Sequence, residues 1–338
     1  MVPGRNDVDP RFVRLFNVFC VTFPPEDSIK RIYATILETF FEAGPFPSEL
    51  KGAEIASKLT TVSMNIFNSI LHALPPTPAK FHYIFNLRDL SRITEGVMQA
   101  TPDKVHSLVD IVRQTRHEVL RVFYDRLVSD SDRSFVADKI EECLKAIFPD
   151  EAPTALVDPI LYGEMYGTHT GGARRVPAML MKCFFVGQGQ GDFANYNELE
   201  DEKAAGAGDS LRLYEDLKDY AAIKPVMEDV LEKYNMSNKA MNLVLFDDCL
   251  GHLVRVHRLM RLPRANALLV GVGGSGKQSI TRLSAFTAGA DVFTITLTRG
   301  YNEALFRDGE LASAIALVHV LMITTRHHIH EYTTTYSE

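Results

Sequence analysis

Cysteine is scarce in this chain, and positive charge is not gathered anywhere along it. The four cysteines among 338 residues, Cys20, Cys143, Cys183 and Cys249, lie far apart and outside any C-x-x-C pair. That spacing indicates neither a zinc site nor a disulfide framework and fits a reducing cytoplasm. Lysine and arginine total 36 against 43 acidic residues, a formal net charge of -7. A nucleic-acid surface would show clustered Lys and Arg, so the mixed signs here argue against one. No apolar run reaches the roughly 20 residues of a membrane-spanning helix, so no membrane partner is expected. Residues 1–10 are polar and lack the basic-then-apolar order of a signal peptide.

What is present is an ordinary globular composition, 46% hydrophobic and 23% charged, enough for two or three compact units, each with a core. Residues 11–24 cluster Phe12, Val13, Leu15, Phe16, Val18, Phe19, Val21 and Phe23, predicting a short helix that turns into a buried strand. Glu26 and Asp27 then open a helix with the stripe Ile29, Ile32, Ile36 and Leu37. Ile55, Leu59, Val62, Ile66 and Ile70 mark the next, which Pro75 and Pro76 stop. A helix is expected from near Phe85, a long one over 104–128 and a shorter one over 135–147. Residues 163–210 are rich in glycine without a sustained period and read as a loop or insertion. Helical material resumes from Leu213 to Tyr234, and a second regular unit begins near Met241.

One motif carries chemistry. Residues 266–279 read as a short apolar strand running into Gly271, Gly273, Gly274, Ser275, Gly276, Lys277, Gln278 and Ser279. Glycines at these positions let successive backbone N–H groups turn inward onto a phosphate, and a following helix over 277–286 adds its positive end. Lys277 can reach the β- and γ-phosphates, so ATP or ADP is the expected ligand. The residue after the Lys is normally a Ser or Thr whose hydroxyl ligates Mg²⁺, and here it is Gln278, with Ser279 one position off register. Nucleotide binding is therefore expected and efficient hydrolysis is not. Two rival readings are a ligand-free glycine turn and a dinucleotide site. Gly271, Gly273 and Gly276 satisfy G-x-G-x-x-G, but Lys277 suits a triphosphate better and no acidic residue ends the next expected strand, 292–297.

Met-Asn-Leu-Val-Leu-Phe-Asp-Asp at 241–248 and Leu-Leu-Val-Gly-Val-Gly-Gly-Ser-Gly-Lys-Gln-Ser at 268–279 closely resemble the fourth AAA+ module of axonemal dynein heavy chains. Gly-Arg-Asn-Asp-Val-Asp-Pro-Arg-Phe at 4–12 and Lys-Phe-His-Tyr-Ile-Phe-Asn-Leu-Arg-Asp-Leu-Ser-Arg at 80–92 resemble the late part of the third. The resemblance covers residues 4–163 and 191–307 and implies an inner-arm type. It also implies a fold class: the α/β P-loop start of an AAA+ module joined to a mostly α-helical AAA+ lid, an incomplete piece of a ring ATPase. The boundaries it suggests are 1–25 for the end of the third module's large subdomain and 26–160 for its lid. An insertion or linker follows over 161–212, then the start of the fourth module over 213–307 and an atypical tail over 308–338.

The same resemblance assigns roles. Val244 and Leu245 become candidate adenine contacts, with an ordinary buried strand as the plain alternative. Arg11 and Arg14 become candidate arginine fingers facing the neighbouring module's nucleotide, with no choice between them. Arg88 would meet the γ-phosphate of the third module's own nucleotide through a bidentate fork, the alternative being a salt bridge to Asp89 or Glu95. Arg5 and Arg92 read as structural. Implied partners are the remaining AAA+ modules of the same heavy chain, dynein intermediate and light chains, and microtubules through a stalk that lies elsewhere. The implied location is the cytoskeleton of the cytoplasm and of the ciliary or flagellar axoneme.

Two stretches depart from the family. Residues 164–191 have no counterpart in it, as retained untranslated sequence would, and the chain after Arg307 does not follow the family pattern. His327, His328 and His330 in that tail read as incidental rather than as a metal site. The expected acidic strand of the fourth site and the phosphate loop of the third are not in the chain, so neither ATP site is complete. The leading alternative in another class is a free-standing helical interaction module with a degenerate P-loop. A small P-loop kinase fits poorly, because 59 residues follow Ser279 and a kinase would need an acceptor pocket and a second acidic site.

Overall fold

The computed structural model describes residues 9–19, 22–164, 214–261, 267–295 and 319–323. Within them, helices dominate and gather into two cores. The larger core is built from residues 29–162 together with Tyr214. The smaller combines Leu161 and Leu217 with residues 223–283.

The first unit is helical because its apolar residues recur at helical spacing between strong start and stop signals. The short α1 (Pro10–Val13) is capped by Asp9, whose carboxylate accepts from the Arg11 backbone N–H at 2.8 Å. The buried strand expected after it does not form. Phe12, Leu15, Phe16, Val18, Phe19 and Phe23 are exposed, because no neighbouring strand among the described residues supplies the hydrogen bonds and the apolar face a strand needs.

The helix α2 (Glu26–Ala43) starts at its two acidic residues as expected. Its buried stripe is Ile29, Tyr33, Leu37, Phe40 and Phe41, whereas Ile32 points outward. Tyr33 replaces Ile32 in the stripe because its hydroxyl finds partners, donating to the Leu87 carbonyl at 3.1 Å and sharing a 2.9 Å bond with Ser91. Next, α3 (Ala53–Ala73) buries Leu59, Val62, Ile66 and Ile70. Each contributes about 1.5–3 kcal/mol relative to leaving it in water.

The fourth helix, α4 (Leu87–Val97), opens on a capping box of Asn86 and Asp89. The long helix expected over 104–128 is shorter at both ends. A second capping box, Ser107 with Asp110, sets the start of α5 (Leu108–Val122), and a 3₁₀ turn over Tyr124–Arg126 closes it. Leu127 beyond the break is still buried, which is why the apolar pattern runs on past the end of the helix. Then α6 (Asp130–Ile147) begins earlier than its apolar residues suggest, with Asp130 and Asp132 in the first turn. A single turn, α7 (Ala152–Ala155), ends the unit.

A two-stranded ribbon joins the units. The strand β1 (Tyr162–Gly163) pairs antiparallel with β2 (Glu215–Asp216). Around it, Tyr162 and Tyr214 enter the first core while Leu161 and Leu217 enter the second. Arg113 of α5 anchors the ribbon, pairing with Asp216 at 2.6 Å and donating to the Val157 and Pro159 carbonyls at 2.5 and 2.8 Å. The glycine-rich insertion expected here lies, from residue 165 to 213, outside the described residues.

The second unit holds α8 (Tyr220–Ser237), α9 (Asp247–Arg261) and α10 (Lys277–Ala288). The strand β3 (Asp291–Ile295) follows and pairs in parallel with β4 (His319–Ile323). Residues 319–323, within the tail drawn at 308–338, are thus built into the second unit's sheet instead of standing apart from it. His327, His328 and His330 lie outside the described residues.

A buried polar seam holds the two units together. Glu118 of α5, fully buried, forms an ion pair with Arg258 of α9. The Tyr214 hydroxyl donates to the same carboxylate at 2.6 Å, and His117 Nδ1 lies 3.2 Å from it. Burial alone would raise the Glu118 carboxyl, but Arg258, His117 and Tyr214 together outweigh it and hold the pKa down to about 2. Burial lowers His117 to about 4, against the opposing pull of Glu118. The imidazole is therefore neutral near pH 7, and its contact with Glu118 is a hydrogen bond rather than an ion pair.

Candidate phosphate-binding loop and arginine positions

The loop is built by glycines that adopt backbone angles other residues avoid. Gly274 has φ +82° and Gly276 φ +78°, both in the left-handed region, so a Cβ at either position would be strained even where space is open. Gly276 is the cap from which α10 springs, and this directs the helix's positive end into the loop. Lys277, the first residue of α10, folds back over it. Its Nζ donates to the Gly271 and Val272 carbonyls, both at 2.7 Å, and to Ser275 Oγ at 3.1 Å.

The apolar segment leading into the loop is not a strand. Residues 267–270 have no sheet partner among the described residues, and Leu268, Val270 and Val272 are 90%, 74% and 83% exposed. Sequence alone suggested a strand because the residues are β-formers, but a strand needs neighbours to bond. The helix after the loop forms as expected and runs slightly longer. The strand expected at 292–297 is observed over 291–295, and residues 296–297 lie outside the described set.

The donor set fits phosphate better than it fits the metal. Backbone N–H groups, a helix start and one ammonium suit a polyphosphate. At the position that would hold a metal, Gln278 offers an amide, and Ser279, the third residue of α10, is half-buried. No step of chemistry is therefore assigned to Mg²⁺. Among the described residues no group of His, Cys, Asp or Glu could hold a metal ion.

Of the two candidate adenine contacts, Val244 is 77% exposed, whereas Leu245 is buried in the second core. The segment at 241–246 has no regular secondary structure and no strand partner among the described residues, so it is not the buried strand of the plain alternative.

Arg88, the second residue of α4, is exposed, and its side chain makes no hydrogen bond or ion pair among the described residues. The salt bridge to Asp89 does not form. Asp89 is turned inward, where it caps its own helix and pairs with Arg126 at 3.1 Å and Arg92 at 3.8 Å. Arg126, which sequence reasoning missed, also donates to the His82 and Ile84 carbonyls at 3.2 and 2.8 Å and lies over the Phe85 ring. It fastens the loop that presents Arg88. Arg11 lies within α1 and Arg14 caps its C-terminal end, on the exposed N-terminal segment far in sequence from the P-loop, and the structure does not bring either together with Arg88 or Lys277. Arg5 lies outside the described residues.

Comparison with known protein families agrees with this arrangement. Residues 59–158 match the AAA+ lid domain, and residues 241–323 match the P-loop containing dynein motor region D4. The chain is 43% identical over 309 residues to dynein axonemal heavy chain 10 of Homo sapiens. It is likewise 43% identical over 310 residues to the dynein-1-alpha heavy chain, flagellar inner arm I1 complex, of Chlamydomonas reinhardtii. Dynein axonemal heavy chain 6 of Homo sapiens shares 37% over 306 residues. Each match covers 90% of this chain but 6% of the relative. An AAA+ lid followed by a P-loop unit, at this identity along nearly its whole length, means that the chain belongs to the axonemal dynein heavy chain family.

Proposed function

We propose that the chain serves as a nucleotide-holding segment of a dynein motor ring, in support of microtubule-based movement in cilia or flagella. The observation that carries the reading is the loop 271–277, with two left-handed glycines, a helix start and Lys277 folded over it. ATP or ADP phosphates entering the loop would take over the Lys277 ammonium from the Gly271 and Val272 carbonyls, exchanging neutral acceptors for charged ones. With Gln278 in place of a hydroxyl, the site holds nucleotide rather than turning it over. Bound nucleotide then acts by favouring one arrangement of the ring over another, which requires different affinities for the two.

Arg88 belongs to the same reading. A cation in the first turn of a helix opposes the helix dipole, so its exposed and unpaired guanidinium suits an incoming anion such as the third module's γ-phosphate. Arg11 and Arg14 are proposed fingers toward the neighbouring module, and Val244, with its side chain free at the surface, is the better placed adenine contact. The partners proposed are the other AAA+ modules of the heavy chain, intermediate and light chains, and microtubules, at the axoneme. The names of two of the relatives, axonemal and inner arm, support that location and class.

Equilibrium titration of the whole chain with fluorescent ATP tests the loop. Saturable one-to-one binding that Lys277→Ala weakens at least tenfold is expected. Binding indifferent to Lys277→Ala would refute the reading and favour a helical interaction module.

A further inference from the structure

Glu118 sits where three helices meet. It lies on α5, Gly96 of α4 is packed so closely on its carboxylate that any side chain at 96 would collide, and α9 supplies Arg258 from the other unit. One turn along, the arrangement repeats: Arg121 of α5 pairs with Asp125 at 3.2 Å, and Arg255 of α9 approaches Asp125 at 3.9 Å. In turn, α9 is layered on α10, the helix that begins at Lys277. Leu250, Leu253, Ile280 and Leu283 are buried in their shared core, and Ser284 Oγ donates to the Leu253 carbonyl at 3.3 Å. A continuous set of packed elements therefore runs from the phosphate loop through α10 and α9 to Glu118.

We infer that the Glu118–Arg258 pair is a latch that makes the helical unit and the P-loop unit open as one body, so that nucleotide held at 271–279 also protects the helical unit. The inference rests on the nucleotide-binding reading above. Its physical basis is that neither charge can be left behind. Parting the units would strip the Glu118 carboxylate of its guanidinium partner and leave it facing neutral Tyr214 and His117, with Arg121 already engaged by Asp125. Opening either unit therefore requires opening the seam, and through the seam the other unit.

Amide hydrogen exchange on the whole chain, with and without ATP, tests the latch against a Glu118→Leu/Arg258→Met double variant that keeps volume while removing both charges. Without nucleotide, the slowest amides of α5 and α9 in the unaltered chain should exchange at a common rate, and the variant should split them into two. With ATP at a hundredfold excess over Kd, the slowest amides of both α5 and α10 should slow by about 100-fold. In the variant only α10 should respond. A Glu118→Gln variant, which removes the charge and keeps only one of the two accepting oxygens, should fall between the two. Protection of α10 without any change in α5 of the unaltered chain would overturn the latch alone, as would a common rate in the double variant. No protection at 271–288 would overturn the nucleotide reading and this inference with it.

Discussion

The helical unit and the P-loop unit differ in how completely they satisfy themselves. In the first, Phe41, Leu50, Ile66 and Ile70 are sealed from solvent, and each helix closes its own backbone hydrogen bonds. The second is half sealed: its helices share a core, yet Leu268, Val270 and Val272 on the approach to the phosphate loop lie open. A helix carries its hydrogen-bond partners within one segment, whereas a strand depends on others. The contrast shows which part of an AAA+ module stands on local sequence and which relies on a sheet to complete it.

The largest expected effect breaks the seam between the two. Arg258→Ala leaves Glu118 buried and uncompensated and should cost about 3–5 kcal/mol, measured by denaturant unfolding. A cost below about 1 kcal/mol would mean that water reaches the seam. A matched pair sharpens the comparison itself. Ile66→Ala in the helical core should cost about 2–5 kcal/mol, while Leu268→Ser on the open segment should stay within about 0.5 kcal/mol. Equal costs would show that the P-loop approach is packed after all.

Acid provides a further test, smaller and graded. Both His117, lowered to about 4, and Glu118, lowered to about 2, bind protons less readily folded than unfolded. The unfolded chain therefore takes up more protons as pH falls, and stability falls with it. The His117 contribution is complete above about 6.5 and is lost between 6.5 and 4. The Glu118 contribution is complete above about 4.5 and is lost between 4.5 and 2. Melting temperatures followed from pH 7 to 3 should decline across the first window, and His117→Gln should flatten that decline. An unchanged slope would place the titration elsewhere.

The sequence made the helical unit legible in proportion to how local its signals are. Glu26 and Asp27 marked the start of α2, the Ile55 to Ile70 spacing marked α3, and Pro75 and Pro76 marked its end. The length of α5 was misjudged because Leu127 packs into the same core beyond the 3₁₀ turn, so apolar spacing alone hid the break. The start of α6 was missed because its first turns are polar and its signal lies in Asp130 and Asp132. At the site, the glycines and Lys277 were legible because backbone conformation and charge are written at fixed spacing. The Glu118–Arg258 pair, 140 residues apart, was not, since nothing local couples them. The role of Arg126 in holding the Arg88 loop was hidden for the same reason.

The most direct test of the account is a structure of the chain with ATP bound. The account predicts phosphates cradled by the backbone of residues 273–278, with Lys277 Nζ moved from the Gly271 and Val272 carbonyls onto phosphate oxygens. Lys277 still tethered to those carbonyls, with nucleotide elsewhere or absent at saturating concentration, would contradict it.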